Sequence, residues 1–412
     1  MARIFNCGFE GNQFGANSLE GLVLDGANTP SYVTTSPRSG TYCLETYATA
    51  AYTSYAGRQP SGSFARGYCR AAIYVLGYDD GAPPQNGMFA EPGGSRSRVC
   101  ISSTGKMTLY YSSTLLQTGT VTLSLNTWYV ILFQVFLSGA SSVHEAKLYD
   151  SAGTTLLETL TDTTSRTTSN LLYFGVSGGA WNSANKGCRW DDFAVNDATG
   201  GSENSYPDPA GKILFSKCVS DNNIGAFTEG ADGTSNLWGA VDNTPPIGNT
   251  TETATTNIKD VWTAAQQDNC DFNTASYTAI GIGASDTIIL VQPLIRYGNH
   301  GTTASLRVIT QIISNPTGSE SDGVTLGVLA HGTEIANWLT HYGTVIYLPS
   351  ITKGNQPVLR VGADFVGVGS GTMCFDFMAI IVEYVPAGPP TTFNRLWRQS
   401  LRPRPFAPGL AR

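Results

Sequence analysis

Short apolar runs recur along the whole chain and are separated by segments rich in Gly, Ser, Thr and Asn. Turn-like segments such as 103–105 (STG) stand between the runs at the spacing of β-hairpins. Many short strands with little helix predict a β-sandwich or jelly roll. In the first half of the chain the predicted strands are 67–78, 98–102, 106–112, 121–125, 127–137, 143–149, 171–176 and 187–196.

Two of these runs indicate how deeply their strands lie. Residues 127–137 are apolar at almost every position apart from Gln134, as expected for a central strand covered on both faces. Residues 143–149 alternate in part between polar and apolar, which is typical of a strand with one solvated face. The run 187–196 ends abruptly in polar residues, so we predict that it is the last strand of a first sandwich spanning residues 1–197.

A second strand series follows a break in the pattern. Residues 198–211 are rich in Gly, Ser, Asn and Pro without an apolar period, and they predict a linker. Short helices are predicted at 259–266 and at 334–340, the second with Thr333 as its N-cap. The further predicted strands are 212–219, 237–241, 277–282, 287–297, 304–314, 323–329, 344–348, 358–365 and 374–385. The sequence therefore predicts an all-β chain of two tandem antiparallel β-sandwiches, the second jelly-roll-like and spanning 212–388.

Charge changes this picture at one end of the chain. Charged residues make up 13% of the sequence, about half the usual share, so hydroxyls and amides are expected to cover the surface. The formal net charge of −7 argues against nucleic acid as a partner, because binding it needs a basic face. Residues 391–412, in contrast, contain five arginines and no acid.

Residues 389–412 are predicted to form an extended arm, because the prolines between Arg402 and Pro408 fix φ and disfavour helix. A basic arm on an acidic body favours docking to a neighbouring protein, and a disordered tail is the alternative interpretation. The candidate anchors of an assembly arm are Arg395, Trp397, Arg398, Arg402, Arg404, Phe406 and Arg412.

Targeting signals and cysteine spacing add two expectations. The first residues lack the apolar core of a signal peptide, and no apolar run approaches the ~18 residues of a membrane span, so we expect synthesis in a cytoplasm and no membrane partner. The eight cysteines show no CxxC spacing and no Cys/His cluster, which argues against zinc. They are either buried reduced thiols or oxidise outside the cell, in which case Cys7 with Cys188 and Cys218 with Cys374 are the candidate disulfides.

Residues that could carry catalysis are dispersed along the chain. The segment 175–179 matches G-x-S-x-G around Ser177, but a nucleophile elbow needs a following helix and an α/β sheet. Asp191 and Asp192 are adjacent, so on a strand they are expected to point to opposite faces and cannot flank one glycosidic bond. These patterns predict a protein that is not an enzyme.

One segment has the composition of a carbohydrate-binding rim, because it places an aromatic platform beside amides: Trp181, Asn182 and Asn185. Exposed aromatic residues in a loop-rich β-protein serve protein contacts equally well. Both interpretations of this segment stay open.

Several segments resemble one class of known proteins. Residues 189–197 (RWDDFAVND) are similar to the closing strand of laminin-G-like domains in phage virion proteins. Residues 126–131 (NTWYVI) and 148–150 (LYD) resemble the Trp-led central strand of those domains and the segment after it, and 236–246 resembles the start of the domain that often follows. The chain thus resembles bacteriophage virion structural proteins with a concanavalin A-like/laminin-G-like lectin-fold N-terminal domain.

The resemblance implies a non-enzymatic structural component of a tailed-phage particle: a capsid decoration, collar or tail-associated protein located in the virion. Its second domain and arm would anchor it to capsid, collar or tail subunits and to further copies of itself, for example in a trimer, with the lectin-like domain facing outward. No cofactor is implied apart from a Ca²⁺ ion that Asp191 and Asp192 could help to hold. The alternative is a carbohydrate-binding adhesin that recognises host surface glycans.

Overall fold

The structure is a computed structural model and describes residues 3–12, 22–26, 30–48, 53–58, 66–78, 84, 86–92, 97–136, 143–163, 171–179, 186–199, 202–223, 225, 228–229, 237–242, 258–262, 267–301, 305–322, 336–366 and 371–388. Within these residues the regular structure is almost entirely antiparallel β-strand, with a 3₁₀ helix at Leu237–Ala240. The predicted all-β class is confirmed. None of the helical segments described is long and apolar enough to span a membrane.

The first half of the chain consists mainly of short β-strands. The described strands are β1 (Arg3–Cys7), β2 (Val23–Gly26), β3 (Ser31–Val33), β4 (Cys43–Ala48), β5 (Thr53–Arg58), β6 (Arg66–Val75), β7 (Gly87–Pro92), β8 (Ser97–Ile101), β9 (Lys106–Tyr111), β10 (Thr114–Thr122), β11 (Trp128–Phe136), β12 (Val143–Tyr149), β13 (Leu156–Asp162), β14 (Leu171–Gly179) and β15 (Lys186–Asp197). They form two sheets, β13-β12-β11-β6-β15-β4-β3 with β1 also paired to β15, and β10-β9-β8-β7-β14-β5-β2. The facing sides of the two sheets share one hydrophobic core, so this half is an antiparallel β-sandwich.

Strand β11 has the central position that its apolar run predicts. It lies between β6 and β12, and Ile131 and Phe133 pack in the sandwich core. Val130 and Leu132 pack on the opposite face, in a cluster that Tyr206 helps to cover. Strand β12 alternates between buried and partly exposed residues, as expected for a strand with one solvated face.

Strand β15 departs from regular geometry at Asp192. Its register against β6 shifts between Asp191 and Ala194, and Asp192 has a φ of 53°. A residue in the left-handed region at a β-bulge breaks the alternation of side-chain directions. The expectation that Asp191 and Asp192 point to opposite faces was therefore wrong, since both carboxylates accept hydrogen bonds from Ser39.

The second half forms one large sheet that folds over its own core. Its described strands are β16 (Lys212–Asn223), β17 (Thr228–Glu229), β18 (Ile258–Trp262), β19 (Gln267–Thr274), β20 (Thr287–Gly301), β21 (Ser305–Ser314), β22 (Ser321–Asp322), β23 (Ala336–Tyr342), β24 (Ile346–Tyr347), β25 (Val358–Val366) and β26 (Gly371–Val385). The path is β17-β18-β26-β16-β19-β25-β21-β22, with β20 beside β26 and with β23 and β24 beside β20. Strand β16 pairs first with β26 and then with β19, which carries the sheet from one side of the core to the other.

Four local predictions in this half were wrong. The described parts of the predicted helices at 259–266 and 334–340, residues 259–262 and 336–340, lie on β18 and β23, which pair with β26 and β20. Segments this short have little intrinsic helical stability, so pairing with a long neighbouring strand prevails. Of the strands predicted at 237–241 and 277–282, the first is largely the 3₁₀ helix and the second is a turn. The strand predicted at 323–329 lies outside the described residues.

Strand β26 joins the two halves of the molecule. One face contributes Phe375 and Ile380 to the core of the second domain. The other face contributes Phe377 and Ile381 to a separate cluster that includes Ala194 of β15. Because both faces are covered, the strand is apolar along almost its whole length.

The predicted linker, described over residues 202–211, packs along this junction. The Tyr206 hydroxyl donates a hydrogen bond to Glu145 on β12 (2.9 Å). The carbonyl of Asp208 accepts one from Arg70 on β6 (2.7 Å). The segment is therefore held against the first sandwich by specific contacts.

Candidate functional site

The junction between the two domains concentrates the buried charges of the described chain. On the face of β26 that packs against the first domain, the row of apolar residues ends with Glu383, which is fully buried. Its Oε1 lies 2.6 Å from Nη1 of Arg70 on β6, and its Oε2 accepts from Nη1 of Arg3 on β1. Removing a carboxylate from water is unfavourable unless charges and hydrogen bonds replace the water, and two guanidiniums do so here.

The protonation state of Glu383 follows from its burial and from its contacts with the two arginines. Burial by itself raises the pKa of the carboxyl group, but the charges of Arg3 and Arg70 and their hydrogen bonds outweigh burial. The net effect is that the pKa of Glu383 lies below its ordinary value. The carboxylate is thus ionised at neutral pH and links the first domain to the second.

Arg3 extends the network to three further groups. Its Nη1 also donates to Oδ1 of Asn6, and its Nη2 lies 3.0 Å from Oε2 of Glu203. Its backbone N–H donates to the hydroxyl of Tyr347 in the second domain (3.1 Å). The start of β1 is therefore fixed to both the linker and the second domain.

Asp191 and Asp192 form a second group of buried carboxylates at the junction between the two domains. Asp191 Oδ2 accepts from the backbone N–H groups of Arg38 (2.8 Å) and Ser39 (3.0 Å). Asp192 Oδ2 pairs with the Arg38 guanidinium (2.7 Å), and Oδ1 accepts from the Ser39 hydroxyl and from the backbone N–H of Ile213 (both 2.7 Å). The bond to Ile213 ties the bulge of β15 to the first strand of the second domain.

This pair does not fit the calcium site that the resemblance implies. Calcium takes six to eight oxygen ligands with lone pairs directed at the ion. All four carboxylate oxygens of Asp191 and Asp192 accept hydrogen bonds from protein donors. Burial and the neighbouring Asp192 charge also raise the pKa of Asp191 well above its ordinary value. Across the described residues, no group of three or more His, Cys, Asp or Glu is placed to hold a metal.

Two clefts that open on the junction are lined by residues that the structure describes. One has a volume of about 550 Å³ and is lined by Glu10, Tyr42 and Lys217 among others. Glu10 lies at its wall, where its Oε1 accepts from the backbone N–H of Thr41 (2.9 Å). Burial lowers the pKa of Lys217 despite the nearby acids.

The other cleft has a volume of about 500 Å³ and lies between β1 of the first domain and β20, β23 and β24 of the second. Arg3 and Asn6 line it on one side, and Gln292, Tyr342 and Tyr347 on the other. We call it the Asn6 cleft. Both domains are needed to form its walls.

The other predicted site residues fall into two groups. The rim residues Trp181, Asn182 and Asn185 and the arm residues 389–412 lie outside the described residues. Ser177 lies within β14, where its hydroxyl donates to the carbonyl of Gly87 (3.2 Å), rather than on a strand-to-helix turn.

Of the two alternatives for the cysteines, the structure agrees with buried thiols and not with the candidate disulfides. All eight cysteines are buried, and none is in a disulfide. Cys7 lies opposite Phe193 on β15, so Cys188 is five residues further along that strand at roughly 3.3 Å per residue. A disulfide requires a Cα separation of about 4.4–6.8 Å. Cys218 lies in the core of the second domain, whereas Cys374 packs with Trp338 in a different cluster.

Sequence reasoning missed the ion network, although a signal was present. Glu383 is an acid within the apolar run 377–385 (FMAIIVEYV), and Arg70 interrupts the apolar run of β6 in the same way. A lone charge in a strand that is otherwise apolar on both faces indicates a buried ion pair, because an unpaired charge would not be tolerated there. The partners themselves are not readable from the pattern.

The fold and its junction define an all-β protein of two joined antiparallel sandwiches. No protein-family model matches the sequence, and no curated protein matches it.

The structure is similar in part to several solved structures. One is basic winged bean lectin with Tn-antigen (14% identity, covering 42% of this chain and 91% of that chain, TM-score 0.29). Others are a protein of unknown function from Shewanella oneidensis MR-1 (17% identity, 44% and 81%, TM-score 0.29) and the Ca²⁺-bound exoplasmic/lumenal domain of VIP36 (11% identity, 50% and 93%, TM-score 0.33). At TM-scores below 0.5 these likenesses carry no argument about function.

Proposed function

We propose that this chain is a non-enzymatic structural component of a tailed-phage particle, anchored by its second domain and residues 389–412 with the first domain facing outward. The supporting observation is the junction at Glu383, where a fully buried carboxylate binds two arginines of the other domain. Domains within a chain generally move relative to one another unless their interface is large and well bonded. A protein that presents one domain from a particle needs that domain at a constant angle, which this junction provides.

Other buried acids of the described residues support a role without catalysis. Asp271 is held by Arg360 through two hydrogen bonds (2.7 and 2.8 Å), and Asp376 pairs with Arg296 (3.1 Å). A general acid or base needs access to substrate and a proton that can leave or arrive. Carboxylates paired with arginine and removed from solvent are suited to holding strands together.

The position from which residues 389–412 depart is well defined. The backbone N–H of Ala387 donates to Oδ1 of Asp286 (2.8 Å). Asp286 Oδ2 also accepts from the backbone N–H of Gly283 (2.7 Å), which fixes the carboxylate in its loop. An anchoring arm would thus begin at a fixed point on the second domain.

Deletion of residues 391–412 in the phage gene tests the proposal. We expect the truncated chain to be depleted from purified particles, measured by quantitative mass spectrometry against another virion protein. A companion variant replaces the five arginines of this segment with lysine, which keeps the charge but not the planar guanidinium, and it shows whether charge alone supports incorporation. Incorporation of the truncated chain at the wild-type level would contradict the anchoring role.

A carbohydrate-binding adhesin is the second candidate, and the Asn6 cleft favours it because tyrosine rings and hydrogen-bond donors line the same cavity. A glycan array with the full chain, incubated with and without a chelator, tests this role. Binding of any surface glycan supports it, and loss of binding with the chelator adds a metal requirement. No binding under either condition contradicts it.

A further inference from the structure

One main-chain carbonyl of the linker accepts two hydrogen bonds on the same oxygen. The carbonyl oxygen of Asp208 accepts from Nη1 of Arg70 (2.7 Å) and from the backbone N–H of Gly211 (3.0 Å). Donors at about 2.7–3.1 Å from a carbonyl oxygen stabilise the negative charge that forms there when a nucleophile adds to the carbon. The carbonyl of Asp208 is therefore polarised toward nucleophilic attack.

A nucleophile is present on the same residue. Asp208 is exposed, and its side-chain Oδ1 accepts a hydrogen bond from the backbone N–H of Ala210 (2.8 Å). Because Ala210 directly follows Pro209, this bond holds the carboxylate beside the peptide bond that joins Asp208 to Pro209. Addition of an aspartate oxygen to the carbonyl carbon of its own residue closes a five-membered ring. Such an intramolecular addition avoids most of the entropic cost of bringing two reactants together.

The leaving group of this bond is a proline nitrogen. The amide nitrogen of Pro209 is tertiary, so it carries no hydrogen and makes no hydrogen bond of its own as a donor. Breaking the bond releases a secondary amine, which takes up a proton readily. Residues 208–209 are the one place in the sequence where an aspartate precedes a proline.

The charged groups that face this bond are held in ion pairs or hydrogen bonds. Arg70 also binds Glu383 (2.6 Å), and Arg38, whose Nη2 lies 3.4 Å from the carbonyl oxygen of residue 209, binds Asp192 (2.7 Å). The turn after β12 packs against the same segment and carries Asp150, whose Oδ1 accepts from the backbone N–H of residue 154 (2.8 Å). The Arg70 guanidinium is thus fixed on the Asp208 carbonyl by its pairing with Glu383, and a donor fixed in advance stabilises developing charge most effectively.

We propose that the chain cleaves its own peptide bond between Asp208 and Pro209. A carboxylate oxygen of Asp208 adds to its main-chain carbonyl carbon, and Arg70 and Gly211 stabilise the charge on the carbonyl oxygen. The C–N bond then breaks, the proline nitrogen takes a proton from solvent, and a cyclic anhydride remains at residue 208. One water molecule hydrolyses the anhydride to two carboxyl groups. The net reaction consumes one water and occurs once per chain.

Cleavage at this position leaves the two domains joined. The segment after the bond stays attached to the first domain, because Arg38 donates to the carbonyl of Gly211 (2.9 Å) and Asp192 accepts from the backbone N–H of Ile213 (2.7 Å). The ion pairs of Glu383 connect the same two domains. A cleaved molecule therefore keeps its shape under native conditions and separates into two fragments only when denatured. This inference does not depend on a role in a particle.

Denaturing mass spectrometry of the purified full chain, sampled over time at pH 5, tests the inference. The two fragments end at Asp208 and begin at Pro209, and their summed mass exceeds that of the intact chain by one water. The same chain unfolded in urea is the comparator, since it keeps the Asp–Pro bond but loses the contact with Arg70. Asp208→Glu lengthens the nucleophilic side chain, and Pro209→Ala replaces the tertiary amide.

Arg70→Lys tests the donor on the carbonyl oxygen, with thermal melting to check that the variant is folded. Pro349→Ala is the matched control, because it alters a proline of the second domain that no acid precedes. We expect the folded chain to cleave at least about tenfold faster than the unfolded chain, since a single donor of this kind contributes about 10²–10³ in rate.

Asp208→Glu, Pro209→Ala and folded Arg70→Lys are each expected to slow cleavage by about tenfold or more, and Pro349→Ala by less than about twofold. The inference is overturned if the folded chain yields no fragments, or if the urea-unfolded chain cleaves as fast as the folded chain. Cleavage of Asp208→Glu and Pro209→Ala at the wild-type rate also overturns it. These two linker variants decide the outcome if Arg70→Lys does not fold.

Discussion

The side chain of Glu383 makes ion pairs that join the two domains. It is fully buried, and each of its oxygens meets a different arginine of the first domain. Removing one partner from a buried ion cluster leaves the remaining charges without compensation, which costs far more than losing a surface pair.

Glu383→Gln is therefore expected to lower the free energy of unfolding by about 3–5 kcal/mol at pH 7, because Arg3 and Arg70 stay buried beside a neutral amide. Urea denaturation followed by tryptophan fluorescence measures the change. The control is Glu320→Gln at an exposed position, which should alter stability by less than about 0.5 kcal/mol. Equal effects of the two substitutions would contradict the structural role of the cluster.

The stability difference between wild type and Glu383→Gln is also expected to depend on pH. The pKa of Glu383 is lowered in the folded state, so its contribution is complete above the unfolded pKa of about 4.3 and is lost as pH falls through the lowered folded pKa. Glutamine does not titrate. The stability difference between wild type and Glu383→Gln should accordingly be largest near neutral pH and shrink below about pH 4. The raised pKa of Asp191 acts in the opposite direction, but it is common to both proteins and cancels.

At the scale of elements, β16 shows why the two sandwiches lie so close. The backbone N–H of Ile213, at its start, donates to Asp192. Gly8, just after β1, faces the same residue, and a Cβ at this position would lie 2.5 Å from the Ile213 carbonyl oxygen. Only a residue without a side chain allows the two backbones to approach to this distance.

Gly8→Ala is expected to destabilise the protein by about 1–3 kcal/mol, since either β16 or the Cys7–Phe9 segment must shift. Thermal melting of the full chain measures the effect. Gly354→Ala is the matched control, because a Cβ there meets no atom within 4 Å and its φ is not in the left-handed region. An unchanged melting temperature for Gly8→Ala would show that the contact is not close in solution.

At the scale of the whole molecule, the junction should make the two sandwiches unfold together. The shared apolar cluster around Phe377 and the ion cluster around Glu383 are both lost if either domain opens. Interfaces of this kind couple the stabilities of the units that they join.

Calorimetry of the full chain is therefore expected to show one cooperative unfolding transition at pH 7, and Glu383→Gln should lower the temperature of that transition. Two well-separated transitions in the wild-type protein would contradict this coupling. The measurement also bears on the proposed function, because presentation of the first domain at a fixed angle requires the coupling.

Local pattern was sufficient for most strands and for the fold class. The double-sided apolar run at 127–137 and the alternating run at 143–149 are β11 and β12, because side-chain burial on a strand follows directly from the two-residue period. The pattern misled where segments were short, as at β18 and β23, because their conformation depends on the strands beside them.

The sequence by itself thus determined that the chain is all-β, that its strands form two sandwiches, and that lone charges stand in otherwise apolar strands. Only the tertiary structure decided which charges meet. Glu383 pairs with Arg70 and Arg3, which are 313 and 380 residues away in the sequence. A β-bulge directs the Asp192 carboxylate toward Arg38. The physical reason is that periodicity reports whether a residue is buried, whereas the identity of a buried residue's partner depends on how distant strands are packed together.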